Sequence, residues 1–83
     1  MSWQPELELP VLRQMRGLPG DALDALTRLL ARICEDPYER LHSMTAGEDP
    51  RERIAEIGDA GWIEFRVDEP AELIRVHALV WTG

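Results

Sequence analysis

Lysine is absent from the 83 residues; all nine basic positions are arginine, against sixteen acidic ones, and the formal net charge is −7. Nucleic-acid binding draws much of its affinity from cationic side chains that neutralise phosphates and release counterions. An acidic, lysine-free chain therefore repels a polyanion at long range unless its arginines gather on one face, and tight nucleic-acid binding is not expected. Cysteine is nearly absent too. A lone Cys34 forms no internal disulfide and fits a reducing compartment, so a cytoplasmic location is expected. No apolar stretch approaches the roughly 18 residues of a membrane span; Ala78–Trp81 is the longest late run. The first residues, Met1-Ser2-Trp3-Gln4-Pro5-Glu6, hold neither a basic nor an apolar leader segment, so a secretory signal is not expected.

Metal and phosphate signatures are missing as well. His42, His77 and Cys34 are scattered at spacings that match no zinc site, and no glycine-rich phosphate loop occurs, so no cofactor or metal is expected. Cys34 falls on a helix face with nothing nearby to lower its pKa, which favours a core thiol over a nucleophile.

Apolar residues make up 45% of the chain, enough for one core, and residues 1–83 are expected to form a single small domain. Trp3 to Leu9 alternates with a period of two, the mark of a strand. Pro5 cannot donate a ladder hydrogen bond, which makes it an edge strand. Pro10 to Arg16 predicts a short helix with Val11, Leu12 and Met15 inward, stopped by Gly17 and Pro19. Asp21 to Glu35 predicts a longer helix. Leu23, Leu26, Leu30 and Ile33 share one face there, and Asp21 is placed to cap the first turn.

Asp36-Pro37 ends this helix, and residues 38–50 are expected to be a loop with a helical turn near Glu39–Met44. Three strands should follow: 53–57, 62–67 and 73–81. Gly58 to Gly61 forms the first turn and Asp68 to Ala71 the second. Strict alternation puts Ile63, Phe65 and Val67 on one face of the sheet, with Ile74, Val76, Ala78 and Val80. Trp62, Glu64, Arg66, Leu73, Arg75, His77, Leu79 and Trp81 would share the other. Like charges directly opposite destabilise a hairpin. The preferred register therefore avoids Arg66 against Arg75 and sets Glu64 opposite Arg75 and Trp62 opposite His77. The resulting fold class is α+β: an antiparallel sheet of about four strands with a helical hairpin on one face.

The runs Leu18-Pro19-Gly20-Asp21-Ala22 and Asp36-Pro37-Tyr38, bracketing a helix of leucines and arginines, resemble the helical hairpin of RelE/ParE-type toxins. Ile57-Gly58-Asp59 and Phe65-Arg66-Val67-Asp68-Glu69 resemble that family's sheet, so the resemblance spans about residues 3–82. It implies the two-layer fold and an antitoxin partner wrapped over it. Ribonuclease members cut messenger RNA on the ribosome with basic residues on the open sheet face and a histidine or tyrosine near the C-terminus; ParE-like members act on DNA gyrase. This chain departs from the ribonuclease pattern. Glu56 stands where a basic residue is expected, Trp62 where the next strand should begin with arginine, and Trp81-Thr82-Gly83 occupies the histidine or tyrosine position.

Two uses of the open face remain. A rearranged ribonuclease site would draw on Arg66, Arg75 and His77, with Glu64 as a further candidate. His77 would move the proton and the arginines would stabilise phosphorane charge. The simpler reading, which we favour, makes Glu64–Arg75 a surface ion pair and packs His77 on Trp62. Trp62, Leu79 and Trp81, beside Arg75, would then form a protein-binding surface for an antitoxin or a second copy, unless the N-terminal strand or the 40–50 loop folds over them. The leading expectation is a divergent toxin-like component of a type II toxin–antitoxin pair acting mainly through protein binding and lacking the usual ribonuclease residues. An active messenger-RNA endoribonuclease and a stand-alone interaction domain are the alternatives.

Overall fold

A computed structural model describes residues 3–83. The chain runs β1 (Gln4–Leu7), α1 (Leu9–Met15), α2 (Gly20–Glu35), β2 (Met44–Thr45), β3 (Glu52–Ile57), β4 (Gly61–Asp68) and β5 (Leu73–Trp81). The strands form one sheet in the order β1-β5-β4-β3-β2. Pro5 lies in β1, which pairs only with β5 and sits at the edge, as its missing N–H requires. The sheet differs from the expected one in two ways. β1 runs parallel to β5, and the two-residue β2 adds a fifth strand inside the expected 38–50 loop.

Both helices cover one face. Ala22, Leu26, Leu29 and Ile33 of α2 are buried with Val11 of α1 against Ala55, Ile57, Ile63, Phe65, Val67, Ile74 and Val76. Leu26 and Ile33 were expected in that role. Leu29, outside the expected four, is buried, and Leu23 and Leu30 are half-buried. Leu12, expected inward, is exposed. Asp21 does not cap α2: the helix begins at Gly20 with Pro19 at the cap, and Asp21 Oδ1 accepts from the N–H of Ala22 at 3.0 Å inside the first turn.

The two glycines of the β3–β4 turn act differently. Gly58 has φ of 58°, a left-handed conformation that disfavours a Cβ. Gly61 lies opposite Trp81, where a Cβ would fall 2.6 Å from the Val80 carbonyl oxygen and 2.7 Å from Trp81 Cε3. Close approach, not backbone angle, selects glycine there.

The β4–β5 register overturns the expected one. Arg66 does stand opposite Arg75, with Val67 opposite Ile74 and Phe65 opposite Val76; past a β-bulge, Glu64 meets Ala78 and Trp62 meets Val80. His77 is the unmatched residue of the bulge. An extra residue on one strand reverses inside and outside beyond it. Leu79, expected on the open face, is consequently 3% exposed in the core. Trp81 packs against the core beside Leu18, and Ala78 and Val80 take the open side.

Candidate functional site: the open face of the sheet

The alternation of β4 sends Trp62, Glu64, Arg66 and Asp68 away from the helices, each half-buried. At the Asp68 end, one row of side chains crosses four strands: Glu52 opposite Arg66, Arg66 opposite Arg75, and Arg75 opposite Glu6. The outer strands thus supply the carboxylates that make two adjacent arginines tolerable. Arg66 Nη1 donates to Glu52 Oε1 at 3.0 Å and to Asp49 Oδ2 at 3.4 Å. Arg75 Nε donates to Asp68 Oδ2 at 3.0 Å, and its Nη1 donates to Glu6. The hydrogen bond to Glu52 leads in holding Arg66 charged, and the bond to Asp68 leads for Arg75; both guanidinium pKa values are raised. His77 Nε2 lies 3.4 Å from the second oxygen of Glu52.

Two of these carboxylates are tuned in the opposite direction. Asp49 is lowered from 3.8 to about 2, first by the Arg51 N–H at 3.0 Å and then by the Arg51 guanidinium. Asp68 is lowered first by the Ala71 N–H, then by Arg75. A carboxylate with a depressed folded-state pKa contributes stability above its unfolded value and loses it as pH falls through the folded one. The urea midpoint should therefore decline between about pH 4 and pH 2, and Asp49→Asn should flatten that decline. An unchanged slope in the variant would remove Asp49 from the network.

The structure brings the four catalytic candidates onto one face without assembling the expected contacts. Glu64 does not pair with Arg75. Its Oε2 accepts from Trp62 Nε1 at 3.3 Å. Trp62 lies opposite Glu56 and Val80 rather than His77. Of the expected binding residues, Trp62 and Arg75 are on this face, whereas Leu79 and Trp81 are not. Sequence reasoning missed the four carboxylates that hold the arginines: Glu6, Asp49, Glu52 and Asp68. Glu52 and Asp68 fall one residue outside the expected strands 53–57 and 62–67, which the structure extends to include them; Glu6 and Asp49 come from distant segments.

Two further features flank the face. Beyond Met44, where β2 begins, a groove of about 550 Å³ opens along the edge of β3, lined by Arg32, Arg40, Leu41, His42, Glu56 and Trp62 among others. His42 Nδ1 is buried there without a hydrogen-bond partner among the described residues. On the other side of β3, Arg53 is buried and held by Ser43 and Pro50. Burial raises the Cys34 thiol pKa, which disfavours the reactive thiolate. Among the described residues no trio of histidine, cysteine or carboxylate side chains is placed to hold a metal, and no helix is long and apolar enough to cross a membrane.

A meander backed by two helices, with an N-terminal strand laid parallel along its last strand, is the fold of the RelE toxins. The isolated Escherichia coli RelE toxin aligns with a TM-score of 0.84 at 13% identity, over 99% of this chain and 86% of that one. A mutant of the same toxin in complex with an antitoxin RelB peptide gives 0.85 at 13% identity, over 100% and 86%. The archaeal RelE–RelB complex from Pyrococcus horikoshii gives 0.79 at 16% identity, over 100% and 98%. No protein-family model matches the sequence, and no curated protein is similar to it. The likeness is one of fold.

Proposed function

We propose that the protein is a toxin-like component of a type II toxin–antitoxin pair that works by binding protein through the open sheet face and does not cut RNA. The observation that carries this is the state of the arginines. Arg66 and Arg75 are each engaged by two carboxylates. Around them the face gathers Glu6, Asp49, Glu52, Glu56, Glu64 and Asp68 against Arg51, Arg66 and Arg75. A scissile phosphate would have to displace carboxylates at hydrogen-bonding distance and enter a field of its own sign. The solved structures of the same fold include RelE bound to RelB or to a RelB peptide, which supports an antitoxin as one partner.

A ribonuclease reading has one observation in its favour: His77, Arg66 and Arg75 do share a face, and His77 adjoins the carboxylate that binds Arg66. Induced expression of the lone protein in a bacterial host, with soluble protein confirmed and messenger-RNA ends mapped, separates the two. Intact messages are expected for the parent, Arg66→Ala and His77→Ala alike. New message ends that vanish in His77→Ala would overturn the protein-binding reading and install His77, Arg66 and Arg75 as the cleavage site.

A further inference from the structure

The ion pairs of the open face are confined to one end. Toward the Gly61–Trp81 end, two rows of side chains remain: Glu56, Trp62 and Val80 in one, and Met44, Ile54, Glu64 and Ala78 in the other. Neither row contains a cation. Among the described residues, neither Glu56 nor Glu64 joins a salt bridge, and the one side-chain bond to Glu64 comes from the Trp62 indole. The apolar members of the rows are accessible. Trp62, Ile54, Ala78 and Val80 are half-buried with no helix above them, Met44 is 62% exposed, and Leu41 beside the groove is 90% exposed.

An indole flanked by two carboxylates that join no ion pair, within an aliphatic surface, is complementary to a guanidinium or ammonium group on an apolar segment, although Arg32 and Arg40 line the adjoining groove. The ring attracts the cation through its quadrupole, the carboxylates through charge, and the aliphatic surface takes the neighbouring side chains. We propose that this end of the face docks a basic, amphipathic segment of a partner protein, with an arginine or lysine seated on Trp62 between Glu56 and Glu64. The inference rests on the protein-binding reading above and names the chemistry of the partner. Charge selects among occupants: RNA would meet two unpaired carboxylates, and a second copy of the chain would bring a net −7 against −7. The row Glu52–Arg66–Arg75–Glu6 bounds the site on its other side, where each carboxylate is already engaged by an arginine.

The test uses the full chain, uniformly labelled with ¹⁵N, and three probes. These are an amphipathic peptide with arginines along one side, its counterpart with glutamates in their place, and a single-stranded polyuridine. The arginine peptide is expected to shift the Trp62 indole signal and the amides of Ile54, Glu56, Glu64 and Val80, and the glutamate peptide to leave them unmoved. The double variant Glu56→Gln/Glu64→Gln, whose exposed and half-buried positions spare the core, should weaken the arginine peptide about ten-fold, and Trp62→Ala should also weaken it. Equal binding of both peptides, or an undiminished affinity in the double variant, would overturn the site. So would shifts on these residues caused by polyuridine, or by self-association as concentration rises. Message mapping keeps the two claims apart. Cleaved messages with intact peptide binding would sink the protein-binding function and leave the site; intact messages with no peptide binding would do the reverse.

Discussion

Replacing Arg53 with methionine should lower stability by about 3 kcal/mol, although the residue touches no carboxylate and lies away from the open face. Arg53 is 5% exposed and shares the core-facing side of β3 with Ala55 and Ile57. Its guanidinium donates from Nε to Ser43 Oγ at 2.7 Å, from Nη2 to the Ser43 carbonyl at 3.0 Å and from Nη1 to the Pro50 carbonyl at 3.2 Å. Its carbon lies 5.6 Å from the centroid of the Tyr38 ring. One planar group thus ties both ends of the Ser43–Pro50 segment and the residue that begins the connection, and β2 hangs from that clasp. Methionine would keep the aliphatic stem packed but leave the Ser43 and Pro50 carbonyls without their donor. Lysine should recover only part of the loss, because one ammonium nitrogen cannot match three acceptors set around a fork. Urea titration at pH 7 reads the difference. At about 4–8 °C per kcal/mol for a domain of this size, the thermal midpoint of Arg53→Met should fall by roughly 12–24 °C. Hydrogen exchange at Ala46, whose N–H donates to the Glu52 carbonyl at 2.8 Å, should quicken before that of the β4–β5 ladder. A loss below about half a kcal/mol would show that the segment is held by something other than this clasp.

The layers of the fold were legible because they follow from local pattern. The period of β4, the leucine stripe of α2 and the glycine turns each report on residues a few positions apart. The site was less legible because its geometry depends on non-local facts. Setting Arg66 opposite Arg75 looks unfavourable within one hairpin. It becomes acceptable when β3 contributes Glu52 and β1 contributes Glu6, which lies 69 residues from Arg75. A like-charge rule applied to two strands cannot see a four-strand row. The bulge at His77 misplaced Leu79 and Trp81 for a related reason: strict alternation was carried past a residue that breaks it. One clue was present: the larger Leu79 is a better core filler than Ala78. Arg53 could not have been read at all, since a buried arginine with carbonyl partners requires the loop that supplies them.

Replacing Phe65 with alanine should remove about 3–5 kcal/mol, the cost of a buried aromatic lost from a core that cannot fully collapse. Phe65, the only phenylalanine of the chain, is 0% exposed in the central strand, opposite Val76 on one side and Arg53 on the other. A domain of 83 residues carries roughly 4–12 kcal/mol of total stability, so Phe65→Ala should leave a substantial unfolded population, whereas Phe65→Leu should lose about 1 kcal/mol and stay folded. The placement beside Arg53 adds a sharper expectation. Phe65 and Arg53 are cross-strand neighbours on the core-facing side, so a cavity at Phe65 would relieve part of the burial that makes the Ser43 and Pro50 bonds valuable. Losses from Arg53→Met and Phe65→Ala should then sum to less than their separate values, by about 0.5 kcal/mol or more in a double-mutant cycle. To keep the double variant measurable, the cycle would be run with Phe65→Leu if Phe65→Ala proves too unstable. Strict additivity would mean that the clasp at Arg53 and the core at Phe65 are independent supports. Coupling would mean that β4 transmits core packing to the loop bordering the open face, so that core substitutions also loosen Met44 and the groove where the partner segment is proposed to dock.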